Sequence, residues 1–205
     1  MIAIVDYGVG NLFSLCSSFA YIGADAVVSG DAQVIARADK IILPGVGAFG
    51  DAAKKLRDAG LDQFLIREAN AGKPLLGICL GMQMLFEKSY EYGEHDGLGL
   101  IRGAVRPIDD LTHGTQKIPQ IGWNALHFPK DKPVSPLWKH IKEGDFVYFV
   151  HSFCAMDCDD SLIAYTEYGA PITAAAASGN VYGCQFHPEK SGEVGLSILR
   201  AFCEI

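Results

Sequence analysis

The chain has 205 residues, of which 49% are hydrophobic, and its 17 Lys and Arg against 24 Asp and Glu give a formal net charge of −7. This length is typical of one domain that buries enough surface to fold without disulfide bonds. The acidic balance, with no cluster of basic residues, argues against nucleic-acid and membrane partners, which require positive faces. No apolar stretch approaches the roughly 18 residues of a transmembrane helix. No signal peptide is expected, because Asp6 interrupts the first apolar run.

The six cysteines are irregularly spaced and too few for a disulfide scaffold. Cys154 and Cys158 have no second Cys or His pair nearby, so we expect no structural zinc and no other metal site. We therefore expect a reduced, cytoplasmic protein that uses no cofactor. One cysteine is expected to be reactive and the others to be small core residues.

The first 80 residues alternate short apolar runs with amphipathic stretches, which is typical of strand-helix units that build a parallel sheet. We predict strands at 1–5, 26–29, 40–43 and 74–78. Helices are predicted at 11–22, at 52–71 with a break near Gly60, and from about 80 to 87.

From Leu98 onward the pattern changes to strands without long helices between them. This indicates hairpins added to the parallel core. The predicted strands pass through Val105 and lie at 118–123, 125–128, 145–150, 162–168, 172–177 and 181–186, before a closing helix at 195–203. The sequence thus predicts one α/β domain over residues 1–205, with a mostly parallel central sheet, flanking helices and added antiparallel strands.

Cys79 is the strongest candidate for a reactive residue, within the segment Gly77-Ile78-Cys79-Leu80-Gly81. The segment follows an apolar strand and opens a helix, which is the form of a nucleophile elbow with Cys in place of Ser. The N-terminal end of the helix that follows carries partial positive charge, which favours a thiolate at Cys79. An inert buried cysteine is the alternative for such a residue taken alone.

A second candidate lies where a predicted strand ends in His187-Pro188-Glu189. Pro188 biases His187 toward an extended backbone, and Glu189 is close enough to accept a hydrogen bond from the imidazole. Cysteine, histidine and carboxylate form a triad in which the imidazole moves the proton and the carboxylate orients the ring. A surface histidine beside a turn is the alternative, and His151, also at a strand end, is a weaker competitor for the base.

Residues 45–50 spell G-x-G-x-x-G directly after a strand, so a dinucleotide site has to be considered. That interpretation requires an acidic residue at a strand end about 20 positions on, and Glu68 instead falls inside an amphipathic helix. A plain tight turn is a further alternative. The interpretation we favour is an oxyanion hole, formed by the N–H groups of Gly47 and Leu80 opposite Cys79.

Together the three segments predict acyl transfer through a thioester, with an amide, ester or thioester as substrate. The chain resembles the class I glutamine amidotransferases and, among them, the glutaminase subunits of imidazole glycerol phosphate synthases. The motifs that carry the resemblance are 77–83 and 187–189 for the class, and 6–12, 44–47, 121–124 and 148–152 for the subunit.

The resemblance implies that Cys79 attacks glutamine and that His187 protonates the departing ammonia. It implies that Gln83 and Glu91 hold the amino-acid head group and that His151 and Ser152 belong to the substrate site. It also implies a heterodimer with a cyclase subunit, a (β/α)₈ barrel that uses the ammonia to make imidazole glycerol phosphate and aminoimidazole carboxamide ribotide in histidine biosynthesis. The residues that match its interface or gate are Asn11, Trp123, Tyr148 and Lys190.

The chain departs from many relatives at Gln120, where they have His, and at Phe153, where they have Tyr. Both departures lie outside the triad and bear on coupling to the partner or on backbone support near the glutamine. The competing hypotheses are another class I amidotransferase, a free-standing thiol hydrolase on the same fold, and a non-catalytic ligand-binding module.

Overall fold

The computed structural model describes residues 1–205 as thirteen strands and seven helices. The strands are β1 (Ile2–Val5), β2 (Ala26–Ser29), β3 (Lys40–Leu43), β4 (Leu75–Ile78), β5 (Phe86–Ser89), β6 (His95–Asp96), β7 (Ile101–Pro107), β8 (Gln120–Ala125), β9 (Phe146–His151), β10 (Phe153–Met156), β11 (Leu162–Glu167), β12 (Pro171–Ser178) and β13 (Val181–Cys184). The helices are α1 (Leu12–Tyr21), α2 (Ala32–Ala36), α3 (Phe49–Asp58), α4 (Leu61–Asn70), α5 (Leu80–Met84), α6 (Asp109–Thr112) and α7 (Gly192–Glu204).

A seven-stranded sheet organises the chain in the order β11-β12-β13-β4-β3-β1-β2. The five strands from β13 to β2 are parallel, while β12 and β11 are added antiparallel at one edge. Strands β4 and β13 are neighbours although their first residues, Leu75 and Val181, lie 106 positions apart in the chain. This pairing brings the segments that follow the two strands to the same edge of the sheet, because parallel strands end on the same side.

Helices cover both faces of this sheet, which explains why its central strands are apolar throughout. Ala3 and Val5 of β1 point into a core with α2, α3 and α4. Ile2 and Ile4 point the other way, into a core with α1 and α7. The alternation follows from the two-residue period of a strand, so one short apolar run supports two separate cores.

Two smaller sheets extend the main one. Strands β10, β7, β5 and β6 form a four-stranded sheet in that order, and β8 and β9 form an antiparallel hairpin. In this hairpin Trp123 lies opposite Tyr148 and Gln120 opposite His151. None of the helices is long and apolar enough to cross a membrane.

The predicted fold class is confirmed, and most predicted elements lie within a few residues of their observed bounds. Three predictions were wrong in detail. The helix predicted to reach residue 87 ends at Met84, because 86–89 pair with β6 and β7 as β5. The strands predicted at 118–123 and 125–128 are one strand, β8. The short elements α2, β6, α6 and β10 had no predicted counterpart.

The turn from β4 into α5 depends on close packing at Gly81, on the first turn of α5. A Cβ atom added to Gly81 would overlap the carbonyl oxygen of Leu43, at the end of β3. That oxygen belongs to the backbone and has little room to move away. A side chain at this position would therefore push α5 off the sheet and displace the turn that precedes it.

We expect Gly81→Ala to lower the free energy of unfolding by about 3 kcal/mol or more, because the new methyl group meets backbone rather than a flexible side chain. Gly179→Ala is the control, since a Cβ there meets nothing within 4 Å and only the φ of 58° is unfavourable. The Gly179→Ala control should lower the free energy of unfolding by about 1–2 kcal/mol. Urea unfolding of both variants measures the difference, and equal losses would contradict the packing argument.

Candidate active site

Cys79 occupies the sharp turn between β4 and α5. Its φ of 53° and ψ of −111° place a non-glycine residue in a region that L-amino acids rarely adopt. The backbone N–H of Cys79 donates to the carbonyl of Cys184 on β13 over 2.8 Å, which holds the turn in place. The residue keeps 8% of its surface exposed. The predicted nucleophile elbow is thus present in geometry as well as in sequence.

His187 and Glu189 lie directly after β13, the strand that neighbours β4. Nδ1 of His187 is 2.8 Å from Oε1 of Glu189, and the Glu189 side chain is only 1% exposed. The other oxygen of this carboxylate, Oε2, is buried without a hydrogen-bond partner. A carboxylate buried in this way depends on the imidazole, because a proton on Nδ1 is its one direct stabilising contact.

Backbone contacts fix the position of the His187 main chain. Its N–H donates to the carbonyl of Tyr148 on β9 over 3.0 Å. Its carbonyl accepts from Oγ of Ser191 over 2.7 Å, and the same Oγ accepts from the N–H of Tyr148 over 3.0 Å. The His187 main chain is therefore linked to β9 twice, directly through its N–H and indirectly through Ser191.

Opposing effects set the pKa of His187. Burial lowers the pKa, but hydrogen bonding and charge at Cys79 and Glu189 raise it more, so that it reaches about 9. The imidazolium form is thus favoured at neutral pH. Cys154 differs from this site, because burial raises the pKa of its thiol to about 12. A thiol with so high a pKa is a poor nucleophile at neutral pH.

A cavity of about 360 Å³ opens beside Cys79. It is lined by nine of the predicted site residues, namely Gly47, Cys79, Leu80, Gln83, Glu91, His151, Ser152, His187 and Lys190, and also by Val46, Tyr92, Pro119, Val150 and Phe153. Glu189 lies behind the His187 ring and does not line the cavity. Tyr92, Pro119 and Val150 were not among the predicted site residues.

The glycine loop 45–47 is anchored at both ends. Before the loop, the buried hydroxyl of Tyr7 donates to the carbonyl of Pro44 over 2.7 Å. After the loop, the N–H of Phe49 donates to Oε2 of Glu91 over 2.6 Å. Neither Tyr7 nor this role of Glu91 was predicted, because the contacts join segments 37 and 42 residues apart.

Two predicted substrate residues have most of their polar atoms engaged within the protein. Nε2 of Gln83 donates to the carbonyl of Phe153 and to Oε1 of Gln185, each over 3.0 Å. His151 has Nδ1 2.8 Å from the carbonyl of Phe153 and Nε2 3.0 Å from the side-chain amide of Gln120. Burial lowers the pKa of His151 to about 4, with His187 adding to the effect and the Phe153 carbonyl opposing it. Gln120 therefore contacts His151, which lines the cavity, without lining the cavity itself.

The four predicted interface residues lie outside or at the rim of the cavity. Trp123 is 52% exposed and packs edge-on against Tyr148, with ring centroids 6.0 Å apart. Lys190 is exposed at the cavity rim. Asn11 is the N-cap residue of α1, although its side chain makes no capping bond. The hairpin thus presents aromatic surface to solvent close to the site.

The structure also bears on two alternatives from the sequence. Glu68 lies on α4 and forms an ion pair with Lys73, so it is not at a strand end as a dinucleotide site requires. Cys154 and Cys158 are both free and buried. No group of three or more His, Cys, Asp or Glu residues comes together as metal ligands would.

Comparison with known proteins places this geometry in a family. The model of the family described as "Glutamine amidotransferase class-I" matches residues 3–204. The protein named "Imidazole glycerol phosphate synthase subunit HisH" of Lactococcus lactis subsp. lactis is 50% identical over 204 residues, covering 99% of this chain and 98% of its own length. The protein of the same name from Wolinella succinogenes is 47% identical over 207 residues, covering 100% of both chains.

Solved structures agree at the level of the fold. A structure described as "Crystal structure of glutamine amidotransferase" matches with a TM-score of 0.76 and 17% identity, covering 100% of this chain and 98% of the other. The structure of PurLQS from Thermotoga maritima matches with a TM-score of 0.72 and 21% identity, covering 99% and 97%. The chain belongs to the class I glutamine amidotransferase family and, within it, to the HisH subunits of imidazole glycerol phosphate synthase.

Proposed function

We propose that this protein hydrolyses glutamine to glutamate and ammonia through a thioester at Cys79, and that the ammonia passes to a cyclase subunit. The observation that carries the proposal is the pairing of His187 with the buried Glu189 just after β13, the strand next to β4 and the Cys79 turn. This arrangement supplies a nucleophile, a proton carrier and an orienting carboxylate. The names of the relatives add the setting, a synthase with more than one subunit.

In the first half of the proposed reaction, the Cys79 sulfur attacks the side-chain carboxamide carbon of glutamine. The carbonyl oxygen becomes an oxyanion, which the N–H groups of Gly47 and Leu80 stabilise. His187 then gives its proton to the nitrogen as the C–N bond breaks, and ammonia leaves. The raised pKa of His187 suits this step, because the ring holds its proton at neutral pH.

In the second half, His187 takes a proton from water, and the resulting hydroxide attacks the thioester carbon. The C–S bond breaks, its electron pair returns to sulfur, and glutamate is released. Throughout both halves Glu189 accepts a hydrogen bond from Nδ1–H of His187, so Nε2 remains the nitrogen that exchanges protons in the cavity. The residues that perform these steps lie within 1–205, which we treat as one catalytic domain.

The head group of glutamine requires an acidic acceptor for its ammonium and donors for its carboxylate. Oε1 of Glu91 suits the ammonium, since Oε2 is already bound to the N–H of Phe49. The free amide oxygen of Gln83 is a second acceptor, because its nitrogen is occupied. We assign Ser152 to the same pocket wall. We assign His151 a supporting role there, because both of its ring nitrogens have partners within the protein.

The proposed partner is a cyclase of (β/α)₈-barrel fold that docks on the side of Asn11, Trp123, Tyr148 and Lys190. Ammonia released into water at neutral pH becomes mostly ammonium and loses its nucleophilicity, so a covered route to the partner has a chemical purpose. Exposed aromatic residues such as Trp123 are common anchors of protein interfaces. Free thiols throughout the chain accord with a reducing compartment, and we assign the complex to the cytoplasm.

We expect Cys79→Ala to reduce glutamate release at least about 10³-fold, because no other group in the cavity can form the thioester. The variant should still bind the cyclase, since the docking residues are untouched. Cys154→Ala is the matched control and should retain activity, because its thiol is buried on β10 away from the cavity. Coupled glutamate detection measures both variants, and hydrolysis by Cys79→Ala at the normal rate would refute the assigned nucleophile.

A second expectation concerns pH. The raised pKa of His187 in the free protein keeps its proton from pH 6.5 up to about 9, so kcat/KM should fall as pH rises through about 9. Glu189→Gln removes a charge that raises this pKa, so the alkaline limb should move to lower pH and kcat should fall about 10²- to 10⁴-fold. A pH profile of the variant with an unchanged alkaline limb would contradict the role of Glu189.

If the ammonia passes to a cyclase subunit, we expect weak glutaminase activity for the isolated protein. We expect strong stimulation of that activity by the cyclase with its nucleotide bound. Trp123→Ala should weaken cyclase binding by about 10-fold or more, as loss of an aromatic anchor does. Val134→Ala, at an exposed apolar residue in the connection between β8 and β9 and outside their paired residues, should bind normally. Titration calorimetry and glutaminase assays measure these effects. Full turnover without the cyclase would favour a free-standing hydrolase.

A further inference from the structure

The amide of Gln185 faces the sulfur of Cys79. Gln185 directly precedes Phe186 and His187, is fully buried, and has its Nε2 3.8 Å from Sγ of Cys79. None of the reaction steps above uses it. Whether the amide offers the sulfur a donor N–H or an acceptor oxygen depends on which way round it is held, and the neighbouring hydrogen bonds decide this.

The orientation of Gln83 is fixed first. A backbone carbonyl can only accept hydrogen bonds, and the carbonyl of Phe153 lies 3.0 Å from the Gln83 amide and 2.8 Å from Nδ1 of His151. The Gln83 amide must therefore present its nitrogen to this carbonyl. His151 must likewise carry its proton on Nδ1.

The orientation of Gln185 follows from that of Gln83. The second N–H of Gln83 donates to Oε1 of Gln185 over 3.0 Å. With its oxygen held by Gln83, Gln185 is left with its NH₂ group toward Cys79. A single backbone oxygen at Phe153 thus determines, through two side-chain amides, that the sulfur faces a hydrogen-bond donor.

We propose that Gln185 is a further catalytic residue of the glutaminase reaction, whose N–H stabilises the Cys79 thiolate, and that Gln83 positions it. The inference deepens the proposed function and rests on it for its kinetic consequences. A donor toward sulfur favours the anion over the neutral thiol and over the thioester. It therefore assists the step in which the C–S bond breaks and the electron pair returns to sulfur.

Other groups around Cys79 also affect its charge. His187 approaches from the loop after β13 with Glu189 behind it, and Tyr7 approaches from the loop after β1. Burial, with the charge at Cys79 adding to it, raises the pKa of Tyr7, so this hydroxyl stays neutral. The imidazolium of His187 is the charged hydrogen-bond partner of the thiolate, whereas Gln185 supplies a fixed dipole from the protein interior.

The test measures alkylation of Cys79 by iodoacetamide in the full chain, without glutamine or cyclase, from the mass of the peptide that contains Cys79. Gln185→Met is nearly isosteric and removes the donor, so the rate at pH 7 should fall about three- to tenfold. Gln185→Glu still accepts from Gln83 but opposes the thiolate with a carboxylate, so its rate should fall further. Gln63→Met, at an exposed glutamine on α4, should react like the wild type.

A purely structural role for Gln185 predicts the opposite order, because Glu preserves the hydrogen bond to Gln83 and Met does not. Rates for Gln185→Glu at or above those of Gln185→Met, or wild-type rates in both, would overturn the proposal. Urea unfolding of each variant verifies that the rates belong to folded protein. Gln185→Glu and Gln185→Met provide two independent variants should one of them fold poorly.

A double-variant cycle tests the positioning role of Gln83. Gln83→Met should also slow alkylation, and the double variant with Gln185→Met should react no more slowly than Gln185→Met alone, since Gln83 acts through Gln185. Effects that multiply would overturn this part of the proposal. Alkylation requires no glutamine, so a wild-type protein that lacks glutaminase activity even with the cyclase and its nucleotide present would refute the proposed function, while the alkylation result would still judge Gln185.

Discussion

The structure depends on one strained turn, at Cys79. A residue with a side chain adopts a φ of 53° there, at a cost of order 1–3 kcal/mol, and the surrounding backbone must hold it. Two contacts do so. The N–H of Cys79 is bonded to Cys184 on the adjacent strand, β13, while Gly81 allows α5 to pack against the end of β3. The turn places Cys79 at the edge of the sheet where the neighbouring strands β3, β4 and β13 end.

The electrostatics of the site follow from burial. Glu189 is removed from water with one oxygen unpaired, so the proton on Nδ1 of His187 has a strong fixed partner. Because the His187 backbone is hydrogen-bonded to Tyr148, the main chain at His187 cannot move without disturbing the β8–β9 hairpin. The hairpin presents Trp123 to solvent. A partner that shifts this hairpin would therefore shift the histidine as well, which gives a physical route for stimulation by docking.

Much of this could be predicted from the sequence because the signals were local. Glycines on both sides of Cys79, and a proline between His187 and Glu189, determine backbone shape within a few residues. The start of β5 could not be predicted, since 86–89 continue a helical pattern and become a strand only by pairing with β7. The chain of amides was also missed. Its members lie 70 and 102 residues apart, and only the folded sheet brings Gln83, Phe153 and Gln185 into contact.

In the proposed reaction Cys79 carries the glutamyl group during turnover. Rapid acid quenching of the protein during reaction with glutamine, with the cyclase present, followed by mass analysis of its peptides, detects this intermediate. We expect a single glutamyl adduct on the peptide that contains Cys79, absent after treatment with hydroxylamine. Glutamate production with no adduct on that peptide, or with the adduct on a peptide containing another cysteine, would contradict this role of Cys79.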